Sequence, residues 1–398
     1  MKTFQTRLVL LICALATGLA SGYSQAEVVH SDTHEKRLIS AIEDIKKLNI
    51  DTAIERLEKL VSENPRFKLA QLVYADFLKA KTQALNTFGQ PYHTEGEKID
   101  ALREEAVARW KHHTQHPQQN HLPRYLLQLN SEQKNIILVD TSQSRLMLYR
   151  NKNGAPVLVD DFYASIGKNG VDKLMEGDKR TPLGVYFVSR FLEPESLPDF
   201  YGHGAFPINY PNSWDRFRGR TGSGIWLHGN PLSTYSRPPL DSDGCVTVTN
   251  NDFDRIKPYI SVDQTTPFVI ADGVEWVDTD SLQQRRELFT DILMRWKKDW
   301  ESLDHNRYMS HYSNDFSAEG VDFAQWKQEK LSVNQFKDYI KINLDDISIL
   351  EYPGNEKVTV ITFVQTYVSN NYRGKQRKRI YLKQETDNNW RIFYEGSV

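Results

Sequence analysis

Gly224 to Asn250 reads GIWLHGNPLSTYSRPPLDSDGCVTVTN, and this stretch decides both the fold and the chemistry. Its ends, GIWL and VTVT, are short apolar runs of strand-like composition. Between them lie prolines, serines and an Asp-Gly pair, which are turn residues. A strand therefore delivers His228 and Gly229 to a sheet rim, and a tight turn at Asp243-Gly244 presents Cys245. Cys245 stands 17 positions after His228. A thiol attacks only as thiolate, so a nucleophilic cysteine needs a base or a positive environment, and His228 is the candidate base. Backbone N–H groups around the turn could converge on a tetrahedral oxyanion. The bland reading, a structural histidine and a small buried cysteine, stays open on these residues alone.

The cysteine count sharpens the choice. The chain has two, Cys13 and Cys245. Lys2 and Arg7 precede an apolar run, Leu8 to Ala20, and Ser24-Gln25-Ala26 follows as a cleavage site. Residues 1–26 therefore read as an export signal that leaves Glu27 as the new N-terminus. The run is shorter than the roughly 18–20 residues of a bilayer span, so no transmembrane segment is expected after cleavage. Cleavage leaves a single thiol in an oxidising compartment, where structural cysteines come in pairs.

With 398 residues, the chain is expected to form two or three domains. Its 39% hydrophobic and 26% charged residues are those of a soluble globular protein, and a formal net charge of -2 argues against a globally basic nucleic-acid binder. Residues 27–125 read as a helical domain. LISAIEDIKKL, TAIERLEKLVSEN and FKLAQLVYADFLKAKTQAL carry apolar residues at three- and four-residue spacing, like one tetratricopeptide-type hairpin. Asp51 is the expected cap of the second helix, another helix is expected from Gly96 to His113, and 113–123 reads as a linker.

From Lys134 the period becomes that of strands, and 134–275 reads as a mostly-β sandwich or barrel. Asn250 or Asn251 is the expected cap of a short helix after VTVT. Residues 281–398 open with a helix showing Leu288, Ile292, Trp296 and Trp300 on one face, then run into alternating strands, an α+β pattern. The basic cluster Arg373 to Arg379 reads as a solvated hairpin turn. The whole is thus a multidomain α+β chain.

His228-Gly229, a gap and Ser242-Asp243-Gly244-Cys245 together resemble the signature of YkuD-type L,D-transpeptidases. IILVDTSQSRLMLYR, GDKRTPLGVYFV and FPINYPNSWDRFRGRTGSGIWLHG agree with that family in the same order over about 134–272. The C-terminal segment, ending WRIFYEG, resembles SnoaL-like (nuclear-transport-factor-2-like) cone-shaped domains. Together the three parts are similar to the cell-shape L,D-carboxypeptidases of curved and helical bacteria. The resemblance implies Cys245 as nucleophile, His228 as base, and the Gly229 carbonyl as the group orienting the imidazole. It implies Gly244 and Cys245 N–H groups as oxyanion donors. It also implies a peptidoglycan stem-peptide substrate, a periplasmic location and dimerisation through the helical segment.

No cofactor or metal is implied, and His305 and His311 lack zinc-ligand spacing. Tyr210, Arg220 and Ser242 are the substrate-binding candidates; for Tyr210 and Arg220 a strand-packing or solvated reading is equally simple. Two departures from the family pattern stand out. Asp243 replaces the usual histidine and Thr247 an arginine, and both leave the acyl acceptor open: amine for transpeptidation, water for carboxypeptidation. The reading from another class is a non-catalytic wall-binding scaffold.

Overall fold

The computed structural model describes residues 33–80, 96–115, 121–263, 265–318 and 320–398. The export-signal reading of 1–26 and the end of the third helical run, 81–85, lie outside the described residues. Among these residues no helix is long and apolar enough to cross a membrane.

Helices Thr33–Lys46, Ile50–Glu63 and Lys68–Ala80 close on a small core that includes Leu38, Leu57, Leu60, Phe67 and Val73. Asn49 stands at the N-cap position of the second helix without a side-chain cap bond, and Asp51 falls in its first turn, where a negative charge suits the helix dipole. A fourth helix, Gly96–Thr114, buries two charges four residues apart, Glu105 and Arg109.

The central β region is built on a five-stranded sheet in the order Ala155–Tyr163, Arg145–Lys152, Asn135–Asp140, Pro267–Ala271, Gly184–Phe187. Its first and last long strands, Asn135–Asp140 and Pro267–Ala271, lie parallel at the centre. One face, with Ile137, Val139, Leu146 and Leu148, packs on a smaller sheet whose buried residues include Phe206, Leu227 and Val246. The opposite face, with Ile136, Leu138, Met147 and Phe187, packs on Tyr352, Val358, Val360 and Phe393 of the C-terminal domain. A sheet covered on both faces reads as unbroken apolar runs, which is why IILV and FVIA show no alternation. Exposing such side chains costs about 1.5–3 kcal/mol each, so the central and C-terminal parts hold together as one body.

The C-terminal part pairs helix Thr279–Glu301 with a five-stranded antiparallel sheet, Trp390–Ser397, Arg373–Gln384, Val358–Ser369, Ile340–Glu351 and Leu126–Gln128. The last of these strands precedes the central β region in sequence. Leu122–Pro123 likewise pairs with Trp276–Val277, so the end of the 113–123 linker is strand; residues 116–120 lie outside the description. The chain thus straps the later domains together before it builds them.

Two sequence expectations fail here. Leu288 is 42% exposed, and the buried stripe of the long helix runs through Leu282, Phe289, Ile292, Leu293, Trp296 and Trp300. Arg373 to Arg379 is strand rather than turn. Lys378 and Arg379 are buried; Lys378 pairs with Glu395, and the Arg379 guanidinium lies 3.6 Å over the Phe187 ring.

Candidate active site

Strands Trp226–His228 and Val246–Thr247 run parallel, with Val246 opposite Leu227 and Thr247 opposite His228. Side chains alternate along a strand, so Cys245 and Thr247 share a face with Trp226 and His228. The parallel pairing therefore makes Cys245 the diagonal neighbour of the histidine. His228 has no exposed surface, and its Nδ1 lies 2.7 Å from the Gly229 carbonyl oxygen. A carbonyl only accepts, so Nδ1 carries the proton and Nε2 keeps a lone pair. Nε2 is buried and has no hydrogen-bond partner. Burial pushes the imidazole down to about 4, against the opposing Gly229 hydrogen bond. The Cys245 thiol, half-buried and 3.5 Å from the Gly224 carbonyl oxygen, is pushed up by burial to about 11. At neutral pH the pair therefore rests as thiol and neutral imidazole.

The turn before Cys245 is held from three sides. Gly244 has φ +121, and a Cβ there would come within 2.8 Å of the Arg180 carbonyl oxygen. Its own carbonyl accepts from the Thr181 hydroxyl at 2.9 Å, which explains the threonine of GDKRTPLG. The Ser242 hydroxyl accepts from the Gly244 N–H at 3.1 Å and donates to the Cys245 carbonyl at 2.6 Å. These bonds bear on two sequence expectations. Of the two expected oxyanion donors, the Gly244 N–H is donated within the chain to Ser242. Ser242, 1% exposed, has its hydroxyl engaged in bracing the turn.

Gly244→Ala is expected to lower stability by about 1–3 kcal/mol, because alanine at this φ is strained and its Cβ meets backbone that cannot swing away. A urea titration checks this, and unchanged stability would contradict the strain.

The other two binding candidates are also engaged within the chain. The Tyr210 hydroxyl donates to the Thr221 carbonyl at 3.1 Å. The buried Arg220 guanidinium holds Asp172 at 2.7 Å and the Lys173 carbonyl. Both fasten loops within the chain. Asp243 is mostly exposed and bridges to Lys168 at 2.9 Å, so it neither touches the imidazole nor substitutes for a second one.

Four contributors escaped sequence reasoning. Tyr201 sets its ring edge-on to His228 at 4.9 Å, and Phe200 lies 5.6 Å from the same imidazole. The Asn250 side-chain oxygen accepts from the Asn230 N–H at 3.1 Å and the His203 N–H at 3.2 Å, so it anchors the segment after Gly229. A Cβ on Gly229 would meet that oxygen at 2.1 Å. The helix cap, expected at Asn250 or Asn251, is instead Thr249, which accepts from the Asp252 N–H and leaves Asn250 to this task. Arg237 binds Asp241 and lies 5.0 Å over the Phe200 ring. Only the aromatic pair DFYG carried any signal in the sequence. Among the described residues no His, Cys, Asp or Glu cluster could hold a metal ion.

Residues 134–270 match the YkuD L,D-transpeptidase catalytic domain, and residues 288–396 match the Cds6 C-terminal NTF2-like domain. The candidate L,D-transpeptidase YafK of Escherichia coli (strain K12) is 30% identical over 89 residues, 22% of this chain. That match spans only 31% of YafK. Two solved structures align much more fully. Bd1075 of Bdellovibrio bacteriovorus is 30% identical with a TM-score of 0.62, over 70% of this chain and 98% of its own. Pgp2, the helical cell shape determining protein of Campylobacter jejuni, is 27% identical with a TM-score of 0.59, over 69% and 95%.

Proposed function

Because this chain belongs to the YkuD-type L,D-transpeptidases and ends in an NTF2-like domain, we propose that it is a cysteine acyltransferase of the peptidoglycan stem tetrapeptide, working outside the cytoplasm, in the periplasm. One observation carries the reading: a half-buried thiol on the strand beside a histidine whose Nδ1 is committed to Gly229 and whose Nε2 has no partner.

In the first half-reaction His228 Nε2 takes the thiol proton as Cys245 Sγ bonds to the carbonyl carbon of the diamino acid. The oxygen of the tetrahedral intermediate is met by the Cys245 N–H. The C–N bond to the terminal D-alanine then breaks, and the imidazolium returns its proton to the departing amine. This leaves a thioester. In the second half an amine or a water gives its proton to His228, attacks the thioester and releases Cys245 as a thiolate that is reprotonated. An amine acceptor makes this a transpeptidase and water a carboxypeptidase. The alignment with Pgp2, which is named for helical cell shape, keeps the hydrolytic reading beside the transpeptidase one.

Incubating the full chain with tetrapeptide muropeptides and resolving products by mass separates the outcomes. Crosslinked dimers identify the transpeptidase, and tripeptide plus free D-alanine without dimers identifies the carboxypeptidase. Absence of D-alanine release in either form would sink the proposal.

A further inference from the structure

The charges that the fourth helix buries need a reason, because a charged pair out of water is costly unless its partners are complete. Glu105 has no exposed surface and Arg109 is 1% exposed. Glu105 Oε1 accepts from Arg109 Nε at 2.9 Å and from the Ser236 hydroxyl at 2.6 Å. Arg109 also pairs with Glu35 at 2.8 Å and lies 4.0 Å over the Tyr163 ring. The Tyr163 hydroxyl donates to the Arg237 carbonyl at 3.0 Å. Beside this, Tyr235 packs on Phe67 with ring centroids 4.4 Å apart, and Arg66 donates to the Leu232 carbonyl. The contacts at Leu232, Tyr235, Ser236 and Arg237 fall on residues 230–239, the connection that leaves Gly229 beside the imidazole and returns through Leu240–Ser242 to the turn before Cys245. At its end Arg237 covers Phe200, which covers His228. Beyond burial and the main-chain partners, the Arg237 charge is felt at both His228 and Cys245, lowering the proton affinity of each.

We infer that the helical domain is a positioning module for the active site: the buried Glu105–Arg109 pair, through Ser236 and Tyr163, fixes the 230–239 connection and with it the placement of Arg237 over Phe200 and His228. This deepens the acyltransferase reading and rests on it for its consequence, since the helical domain would then set catalytic rate and not only assembly. The residues are positioning residues; none touches the thiol.

Ser236→Ala and Tyr163→Phe each remove one hydroxyl and test the link without stripping a buried charge, while Glu105→Gln tests the pair itself. Arg37→Ala, which breaks an exposed pair with Glu63 in the same helical domain, is the control. For the three link variants kcat for D-alanine release is expected to fall about tenfold at unchanged KM, because misplaced groups lose rate before they lose binding. Alkylation of Cys245 by iodoacetamide should shift its pH midpoint, amide exchange over 230–239 should quicken, and Ser236→Thr should restore the wild-type values. Folded Ser236→Ala and Tyr163→Phe proteins with unchanged kcat, alkylation profile and exchange overturn the inference, whatever their melting temperatures. Should the wild type release no D-alanine, the functional reading fails on its own, and the alkylation and exchange comparisons still decide the brace.

Discussion

Cys245→Ala is expected to abolish D-alanine release from tetrapeptide muropeptides, a loss on the order of 10⁴-fold or more, since no other group at the site can form the covalent intermediate. Asp243 points to Lys168 and is held below the ordinary aspartate range by that hydrogen bond, so it is an ionised surface carboxylate rather than a spare nucleophile. The substitution removes a half-buried sulfur that touches only main-chain partners, at Gly224 and Trp226, so the fold should persist. The Ser242, Gly244 and Thr181 bonds that shape the turn do not use the thiol. Loss of activity in a normally melting protein therefore reports chemistry. Intact-mass measurement gives the complementary reading, with an acyl adduct on the wild type exposed to tetrapeptide or a carbapenem, and none on the variant. A variant that still trims tetrapeptide, or that restores wall composition in a deletion strain, would show that the thiol is not the nucleophile.

What could be read from the chain alone follows from how local each determinant is. The His228-Gly229 pair, the Asp-Gly turn and the flanking strand patterns sit within residues 224–250, and the structure places them on adjacent strands. The mixed α+β order of helices, β domain and helix-plus-sheet was legible for the same reason, because periodicity is a local property. Some of the misreadings involve a partner far along the chain, and others a neighbour that takes the role first. Arg379 looks solvated until Phe187, almost two hundred positions earlier, is brought under its guanidinium. Ser242, a plausible substrate contact in sequence, is occupied by its own turn, and Arg220 by Asp172. Glu105 sits on a polar helix with nothing nearby in sequence to announce that Ser236 will meet it. Asn250 passes for a helix cap because asparagine is a good one; only the fold shows Thr249 taking that place.

His228→Gln is expected to cost about 10²–10⁴-fold in kcat/KM at neutral pH, the range over which a positioned general base contributes. The pH dependence makes this loss diagnostic. With the imidazole near 4 and the thiol near 11, wild-type activity should rise as His228 loses its proton through about pH 4 and then stay level through neutrality, because proton transfer happens during attack. The glutamine variant has no base, so its residual rate should track the thiolate fraction and climb about tenfold per pH unit toward 11. A wild-type profile falling above about pH 8, as for a preformed thiolate–imidazolium pair, would contradict this assignment. Stability supplies an independent check on the same burial. His228 is neutral in the fold down to about pH 4, whereas an unfolded histidine binds its proton near 6.5. Between those values the unfolded chain holds more protons, so stability is complete above 6.5 and declines as pH falls, approaching a loss of about 3 kcal/mol below 4. That component should vanish from His228→Gln in urea titrations compared at pH 7 and pH 4.5. If the variant keeps the wild-type slope, burial does not set the imidazole's proton affinity, and the neutral thiol–imidazole resting state loses its physical basis.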